Sequence, residues 1–366
     1  HRIPPYNISN LDNSSVMPLS ISMSNITLCS MSTLDLGRVL PEQYDEEGLI
    51  VLFLDNLIWP LLVVVFALFV FLLPGTFLTV ENIQFLLYTS AALGMIALAE
   101  SICLISGNFD LSVGSIAGFS SMFTAMFLSQ WFPSMPGIVG IVIILAVGGF
   151  IGMMNGFSIS YLGVNPFLQT LSFLIIFEGG ILVISSTSRT ALPNLYTYVG
   201  GGTIVGSIPF AIALMTIVFA FFGVALKYSR FGTKLYAVGG NPNAAESAGI
   251  NTKRVVLFVY ITSGMLSALG GLLYTGFLGA ATPTLGQNAL FPAFAAAVIG
   301  GISLFGGRGR ITGALGGVIL LGTVEAGLVQ LRVDPNVIRT TTGLVLLGAI
   351  LLYTFIETYR SRLLAE

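Results

Sequence analysis

The feature that most constrains the fold is a series of apolar runs that begins near residue 55 and continues almost to the end of the chain. A helix needs about 20 apolar residues to cross the roughly 30 Å hydrocarbon core of a bilayer. Of the 366 residues, 55% are hydrophobic and 8% are charged, whereas soluble domains carry roughly 25% charged residues. The chain cannot cover itself with a water-facing surface, so we expect an all-α fold embedded in a membrane.

Ten apolar runs are long enough to be considered as membrane spans, which predicts a polytopic protein with about ten transmembrane helices within residues 51–366. The predicted spans lie near residues 55–74, 84–105, 111–128, 137–156, 166–186, 205–226, 255–278, 290–305, 311–330 and 337–357. The runs at 111–128 and 290–305 are short and flanked by glycine, which indicates broken or re-entrant segments there. Residues 1–50 have no long apolar run and are rich in Ser and Asn, so they are predicted to be a flexible polar tail.

The distribution of basic residues predicts the orientation of the spans. With ten spans and a cytoplasmic amino terminus, 11 of the 14 Lys and Arg residues fall on the cytoplasmic side, as the positive-inside rule requires. Only Arg189, Arg332 and Arg339 fall outside. The long basic loop at residues 227–254 is therefore expected in the cytoplasm.

Several function classes find no support in the sequence. No Gly-x-x-x-x-Gly-Lys-Ser/Thr phosphate loop is present, so the chain is not expected to hydrolyse ATP. Cys29 and Cys103 do not have metal-ligand spacing, the lone His1 lies in the tail, and no metal, cofactor or nucleic-acid partner is indicated. An intramembrane enzyme would need a nucleophile with a base, or metal ligands, at a recognisable spacing. Energy for transport must come from another subunit or from an ion gradient.

The loop between the sixth and seventh predicted spans carries the most informative pattern. It reads YSRFGTKLYAVGGNPNAAESAGINTKR from Tyr228 to Arg254. This order resembles the loop by which permeases of ribose-type ABC sugar importers contact their ATPases: an aromatic residue and Gly, then Tyr-Ala-x-Gly-Gly-Asn, a short Ala-rich helix and Gly-Ile. The residues that the resemblance assigns to ATPase coupling are Gly232, Tyr236, Gly239, Gly240, Asn241, Ala244, Ala245, Glu246, Gly249 and Ile250.

Residue chemistry predicts a short helix within this loop. Asn241 is placed to cap its amino end, Pro242 to occupy its first position and Gly249 to end it in the left-handed conformation. The glycines on either side suggest flexible ends. We expect Ala244, Ala245 and Ala248 to let the helix enter a groove of the ATPase, with Glu246 pairing with a basic residue there. The alternative is an ordinary solvated loop helix.

Two glycine-rich segments extend the resemblance. Gly107 to Gly114 resembles the Gly-Gly-x-Asp-Leu-Ser-x-Gly signature of the same family, with Asn108 in place of the second Gly. Residues 297–309 resemble its late Gly-Gly-x-Ser-Leu-x-Gly-Gly-x-Gly stretch. The two segments also resemble each other, as internal repeats of transporters do.

The resemblance covers about residues 75–357 and implies a type II-like ABC importer permease. Such a permease works as a homo- or heterodimer with cytoplasmic ATPases and an extracytoplasmic sugar-binding protein, in the cell membrane of a bacterium or archaeon. The implied cargo is a pentose or hexose. A nucleoside is an alternative cargo, and an ion-coupled secondary transporter using Glu100, Asp110, Glu178 or Glu325 is an alternative mechanism. Branched-chain amino-acid permeases fit less well, because their loop lacks the Tyr-Ala-x-Gly-Gly-Asn run.

Polar residues within or next to the spans are candidates for a substrate pathway, since intramembrane charges usually face a cavity or a partner. Asp110 either caps the helix that follows it or lines the pathway. Asn165, Gln169 and Ser172 are spaced to share one helix face, where they either meet a sugar or hydrogen-bond to other helices. The full set of pathway candidates is Asp110, Ser112, Asn165, Phe167, Gln169, Ser172 and Glu178.

Small residues at four-residue spacing indicate close helix packing. Gly148, Gly152 and Gly156 form one such series, and Gly313 and Gly317 form another. Helices in a bilayer approach closely where small residues line the contact. These glycines predict a dense bundle.

Overall fold

The computed structural model describes residues 56–204 and 206–363, and regular structure within these ranges is helical. The tail predicted for residues 1–50 lies outside the described residues. The helices are α1 (Ile58–Leu72), α2 (Val80–Ile105), α3 (Val113–Met126), α4 (Gly137–Ser160), α5 (Pro166–Ile184), α6 (Asn194–Gly201), α7 (Phe210–Tyr228), α8 (Arg230–Gly240), α9 (Pro242–Ser247), α10 (Thr252–Leu278), α11 (Leu290–Ile299), α12 (Ile311–Gln330) and α13 (Pro335–Leu363).

Within the described ranges, six helices are long and apolar enough to cross a membrane: α2, α4, α5, α7, α10 and α12. They coincide with six of the predicted spans. The apolar helices α1 and α11 are shorter, and the ten residues of α11 measure only about 15 Å at 1.5 Å per residue. A broken segment near 290–305 is therefore confirmed, and the chain is an integral membrane protein. The count of about ten spans stays a prediction.

Helix α2 forms the centre of the bundle. Its most apolar stretch is 100% buried, whereas only 17% of the corresponding stretch of α5 is buried. The outward faces of α4, α5 and α7 carry large apolar side chains such as Val142, Ile175 and Phe221, which are 62%, 63% and 63% exposed. Apolar surface on this scale suits contact with lipid, because a bilayer does not penalise it.

The closest helix contact joins α4 to α10 and uses the predicted glycine series. A Cβ atom on Gly148 would overlap the carbonyl oxygen of Gly264, and one on Gly152 would overlap that of Tyr260. A Cβ on Gly156 would lie 3.0 Å from Cα of Leu257. The backbones of the two helices therefore touch directly, as the sequence predicted.

Helices α11 and α12 repeat this arrangement. A Cβ on Gly313 would overlap the carbonyl oxygen of Gly300, and one on Gly317 would overlap that of Ala296. Residues with any side chain at these two positions would separate the helices. The second glycine series is therefore also confirmed as a packing feature.

Two helices were not predicted from the sequence. Helix α6 follows α5 in a segment interpreted as a loop, and α8 occupies the first half of the loop at residues 227–254. The single short helix predicted in that loop corresponds to α9. The loop is thus mostly helical.

Candidate functional site

The helices α8 and α9, which we call the helical pair, are each capped by a side chain at the amino end. The Ser229 hydroxyl accepts from the Gly232 N–H at 3.1 Å, and the Asn241 side chain accepts from the Ala244 N–H at 3.0 Å. Pro242 occupies the first position of α9. The predicted cap and the predicted start of α9 are confirmed.

Helix α9 ends in a Schellman motif. Gly249 has a φ of +80°, and its N–H donates to the carbonyl oxygen of Glu246 at 2.9 Å. The Ile250 N–H donates to the carbonyl oxygen of Ala245 at 3.0 Å, which is the bond pattern of this motif. The left-handed stop predicted at Gly249 is confirmed.

Most of α9 faces outward, and one of its alanines does not. The exposed residues are Asn241, Pro242, Asn243, Ala244, Glu246, Ser247, Ala248 and Gly249. Ala245 is only 4% exposed and belongs to the main apolar core. The expectation that Ala245 enters a groove of a partner was therefore wrong: it packs inward, and Ala244 and Ala248 are the alanines available to a partner.

The Glu246 carboxylate already has a partner within the chain. It accepts a hydrogen bond from the Thr252 hydroxyl at 2.5 Å. This bond joins α9 to the first residue of α10. Glu246 is exposed, so the carboxylate also remains available to a cation of another protein.

Four glycines bring the helical pair against both glycine-rich segments of the chain. We call Gly107, Gly239, Gly306 and Gly307 the glycine junction. A Cβ on Gly239 would overlap the carbonyl oxygen of Ile105 and lie 2.7 Å from the backbone nitrogen of Gly307. A Cβ on Gly306 would lie 2.6 Å from the carbonyl oxygen of Gly239. Gly239 is thus a close-packing residue, which corrects the interpretation of Gly239 as part of a flexible end.

Gly232 and Gly240 differ in their surroundings. A Cβ on Gly232 would overlap the carbonyl oxygen of Leu226, so glycine is needed where α8 folds back on α7. A Cβ on Gly240 would meet no described residue within 4 Å. Of these two glycines, only Gly232 is required by contacts within the chain.

Tyr236 adds a side-chain contact between the helical pair and the segment before α12. Its hydroxyl donates to the carbonyl oxygen of Gly309 at 2.8 Å. Burial raises the pKa of Tyr236 above its ordinary value, and the nearby Arg310 partly opposes that increase. The phenol therefore stays protonated at neutral pH and remains a hydrogen-bond donor.

A second group of polar residues lies inside the bundle, where α3, α4 and α10 meet. We call Asp110, Ser112, Asn155 and Ser263 the polar cluster; all four are fully buried. One Asp110 carboxylate oxygen accepts from the Ser112 N–H at 3.0 Å and from its hydroxyl at 2.5 Å, and the other accepts from the Ser263 hydroxyl at 2.8 Å. Asn155 donates to the Ser112 hydroxyl at 2.9 Å.

Asp110 accepts a backbone hydrogen bond just before α3, as a capping residue does, but it does not occupy the N-cap position of that helix. The residue before α3 is Ser112, and no side chain caps α3. Asp110 instead accepts from the N–H of Ser112 and reaches across to Ser263 on α10. Both carboxylate oxygens are satisfied within the protein. The polar cluster therefore fixes α3 against α4 and α10 in this conformation.

The other predicted pathway residues do not join into one site. Asn165 caps α5 by accepting from the Phe167 N–H at 2.9 Å, and the Ser172 hydroxyl donates to Leu168 of its own helix. The side-chain amide nitrogen of Gln169 lies 3.5 Å from the side-chain oxygen of Asn155, so Gln169 borders the polar cluster. Phe167 is 51% exposed, and Glu178 is half-buried on the same helix.

Asn155 and Ser263 were missed by the sequence interpretation. Ser263 lies near the middle of the long apolar helix α10, and Asn155 lies five residues before the end of the long apolar helix α4. Their only sequence signal was a polar side chain at intramembrane depth. Among the described residues, no group of three or more His, Cys, Asp or Glu side chains is placed to hold a metal ion.

Comparison with known proteins identifies relatives along most of the chain. The D-allose transport system permease protein of Escherichia coli is 34% identical over 295 residues, covering 80% of this chain and 89% of that protein. The ribose import permease protein of Bacillus subtilis is 38% identical over 292 residues, covering 79% of this chain and 89% of that protein. The galactose/methyl galactoside import permease protein of Salmonella typhimurium is 34% identical over 296 residues, covering 76% of this chain and 87% of that protein. No solved structure matches the chain.

The family comparison agrees with these relatives. Residues 82–355 match the family described as branched-chain amino acid transport system / permease component. The match includes the glycine junction, the helical pair and the polar cluster. The chain therefore belongs to this family of membrane transport permeases.

Proposed function

We propose that the chain is the membrane-spanning subunit of an ATP-driven ABC importer that carries a monosaccharide. The observation that carries this proposal is the position of the helical pair, which is exposed on one side and contacts the bundle on the other. Its outer surface is polar and exposed, while Gly239 and Tyr236 contact the segments that lead into α3 and α12. A force applied to the exposed surface therefore reaches two parts of the bundle at once.

The proposed cargo rests on the relatives. The similar permeases are named for D-allose, ribose and galactose import, which are all monosaccharides. We infer a pentose or hexose as cargo. The soluble binding protein that delivers it should hold the same sugar, and a binding protein that holds a nucleoside would contradict this part of the proposal.

The proposed partners follow from the same function. A cytoplasmic ATPase would engage the exposed residues of α9, an extracytoplasmic binding protein would deliver the sugar, and a second permease subunit would complete the pathway. The basic residues of the loop at 227–254 support a cytoplasmic position for the helical pair. The complex would reside in the cell membrane of a bacterium or archaeon.

Reconstitution tests this function directly. Proteoliposomes that contain the chain, its ATPase and the loaded binding protein should take up sugar only when ATP is supplied. Uptake should be insensitive to proton and sodium ionophores, because ATP hydrolysis supplies the energy. Uptake by the chain alone that collapses when an ionophore is added would overturn the proposal in favour of an ion-coupled transporter.

A further inference from the structure

A cavity of about 850 Å³ lies among α2, α10, α11, α12 and α13, apart from both the polar cluster and the helical pair. Pockets for small molecules typically measure roughly 300–1,000 Å³ and combine apolar walls with a few polar groups. This cavity has that composition. The polar and aromatic residues on its walls include Tyr274, Gln287, Asn288, Phe291, Glu325 and Arg339.

Glu325 is the least expected residue on these walls. It lies within the apolar helix α12 and is half-buried. Its carboxylate forms no ion pair or hydrogen bond with any residue in the described part of the chain, although Arg339 of α13 lines the same cavity. A charge at membrane depth costs several kcal/mol unless it faces water or a polar partner. The carboxylate lines the cavity, so water or a polar ligand in the cavity would solvate it.

The cavity lies at the opposite end of α12 from the glycine junction. Helix α12 begins at Ile311, and Glu325 follows 14 residues later, which corresponds to about 21 Å along the helix axis. The start of α12 is the end that Tyr236 approaches through Gly309. If the helical pair faces the cytoplasm, as proposed above, the cavity lies in the external half of the bundle.

We propose that this cavity is the site that receives the sugar from outside, and this inference rests on the proposed function. The Glu325 carboxylate accepts hydrogen bonds from sugar hydroxyls, and Arg339 and the amides of Gln287 and Asn288 supply donors to the sugar oxygens. Charge-assisted hydrogen bonds are roughly twice as strong as neutral ones. Tyr274 and Phe291 offer aromatic surface to the C–H face of the ring.

Thiol labelling tests the occupancy of the cavity. Asn288→Cys places a thiol on the cavity wall, and Ser186→Cys places one at an exposed position after α5 that does not line it. Cys103 is fully buried, and Cys29→Ser is included in both variants. D-ribose, D-allose, D-galactose and D-fructose are tested one at a time against a membrane-impermeant methanethiosulfonate reagent, with the complete transporter complex in proteoliposomes.

A sugar that fills the cavity should slow the labelling of Asn288→Cys by about tenfold at a concentration ten times its Kd. Labelling of Ser186→Cys should not change. If none of the four sugars slows the labelling of Asn288→Cys, although the wild-type complex transports one of them, the cavity is not the sugar site. A photoreactive benzophenone attached to this cysteine through a maleimide that crosslinks to a lipid acyl chain, without protection by sugar, would likewise overturn the inference and identify a lipid groove.

A charge-neutral substitution tests the role of Glu325. Glu325→Gln should raise the sugar concentration for half-maximal transport by about tenfold, because a hydrogen bond to a charged group is lost. Glu81→Gln, at an exposed carboxylate in the first turn of α2, is the matched control and should leave the sugar dependence unchanged.

Failure of this inference differs from failure of the proposed function. Equal sugar dependence in the wild-type and Glu325→Gln complexes would remove Glu325 from the site while leaving ATP-driven sugar transport intact. A wild-type complex that couples ATP hydrolysis to none of the four sugars would overturn the proposed function itself.

Discussion

The backbone N–H of Gly307 donates a hydrogen bond to the carbonyl oxygen of Ile105 at 2.9 Å. This bond joins the two glycine-rich segments of the chain, which resemble each other in sequence. Gly239 of α8 packs onto the same carbonyl oxygen. Three segments that are distant in sequence thus meet through backbone atoms at this point, and this contact leads to the first prediction.

Gly239→Ala should destabilise the protein, because its Cβ would overlap backbone atoms of Ile105 and Gly307 that cannot move aside as a side chain can. Overpacking typically costs about 1–3 kcal/mol. The thermal unfolding midpoint in detergent measures the effect. Gly240→Ala is the neighbouring control, since its Cβ meets none of the residues that the structure describes within 4 Å. This variant should be neutral or slightly stabilising, because alanine favours helix by about 1 kcal/mol relative to glycine. Equal midpoints for both variants would contradict the close contact.

Substitutions of two adjacent alanines of α9 should distinguish an effect on coupling to the ATPase from an effect on folding. Ala244→Arg changes an exposed residue and should leave the permease folded while reducing sugar-stimulated ATP hydrolysis of the assembled complex. Ala245→Arg places a charge at a position that is 4% exposed and should destabilise the protein by several kcal/mol. Yield and thermal midpoint measure folding, and ATPase stimulation measures coupling. Full stimulation in a complex that carries Ala244→Arg would show that α9 does not engage the ATPase.

The polar cluster predicts different outcomes for two substitutions of Asp110. Asp110→Asn keeps an oxygen that can accept from Ser112, and its amide group can donate to the Ser263 hydroxyl, so stability should fall only slightly. Asp110→Leu leaves buried donors of Ser112 and Ser263 unpaired, at a cost of about 1–3 kcal/mol for each group. A double-mutant cycle of Asp110→Leu with Ser263→Ala should show coupling of about 0.5–3 kcal/mol. Strictly additive effects would mean that the Asp110–Ser263 bond does not contribute to stability.

The contact between α4 and α10 predicts the effect of one added methyl group. Gly152→Ala should lower the thermal midpoint, since the new Cβ would overlap the carbonyl oxygen of Tyr260. Gly179→Ala on α5 is the matched control, because no atom of the described part of the chain lies within 4 Å of its Cβ position. A midpoint for Gly152→Ala at or above that of Gly179→Ala would show that the two helices can separate at little cost.

Local chemistry was sufficient to predict several features. Asn241, Pro242 and Gly249 fix the two ends of α9 through bonds with residues only a few positions away. The series Gly148, Gly152 and Gly156 identified a contact face because four-residue spacing keeps small residues on one side of a helix. In each case the residues that determine the feature lie within or next to one helix.

Features that depend on which helix faces which could not be predicted in the same way. Asn165, Gln169 and Ser172 have the spacing of one helix face, yet Asn165 is used as a cap and Ser172 bonds to its own backbone. One buried partner of Asp110, Ser263, comes from α10, 153 positions away. The inward orientation of Ala245 likewise depends on the packing of α9 against the bundle. Helical periodicity defines a face, and tertiary packing decides what covers it.

The direct backbone contact between α4 and α10 restricts how the bundle can move. The carbonyl oxygens of Gly264 and Tyr260 occupy the notches left by Gly148 and Gly152, so the helices cannot slide along each other without first separating. We expect such a contact to hold the two helices together, with large conformational changes taken up at hinge residues outside it, which are commonly loop or helix-terminal positions. We therefore expect α4 and α10 to act as one lever during a transport cycle, with its bending points beyond the glycine contacts, at Tyr161 and at Gly279.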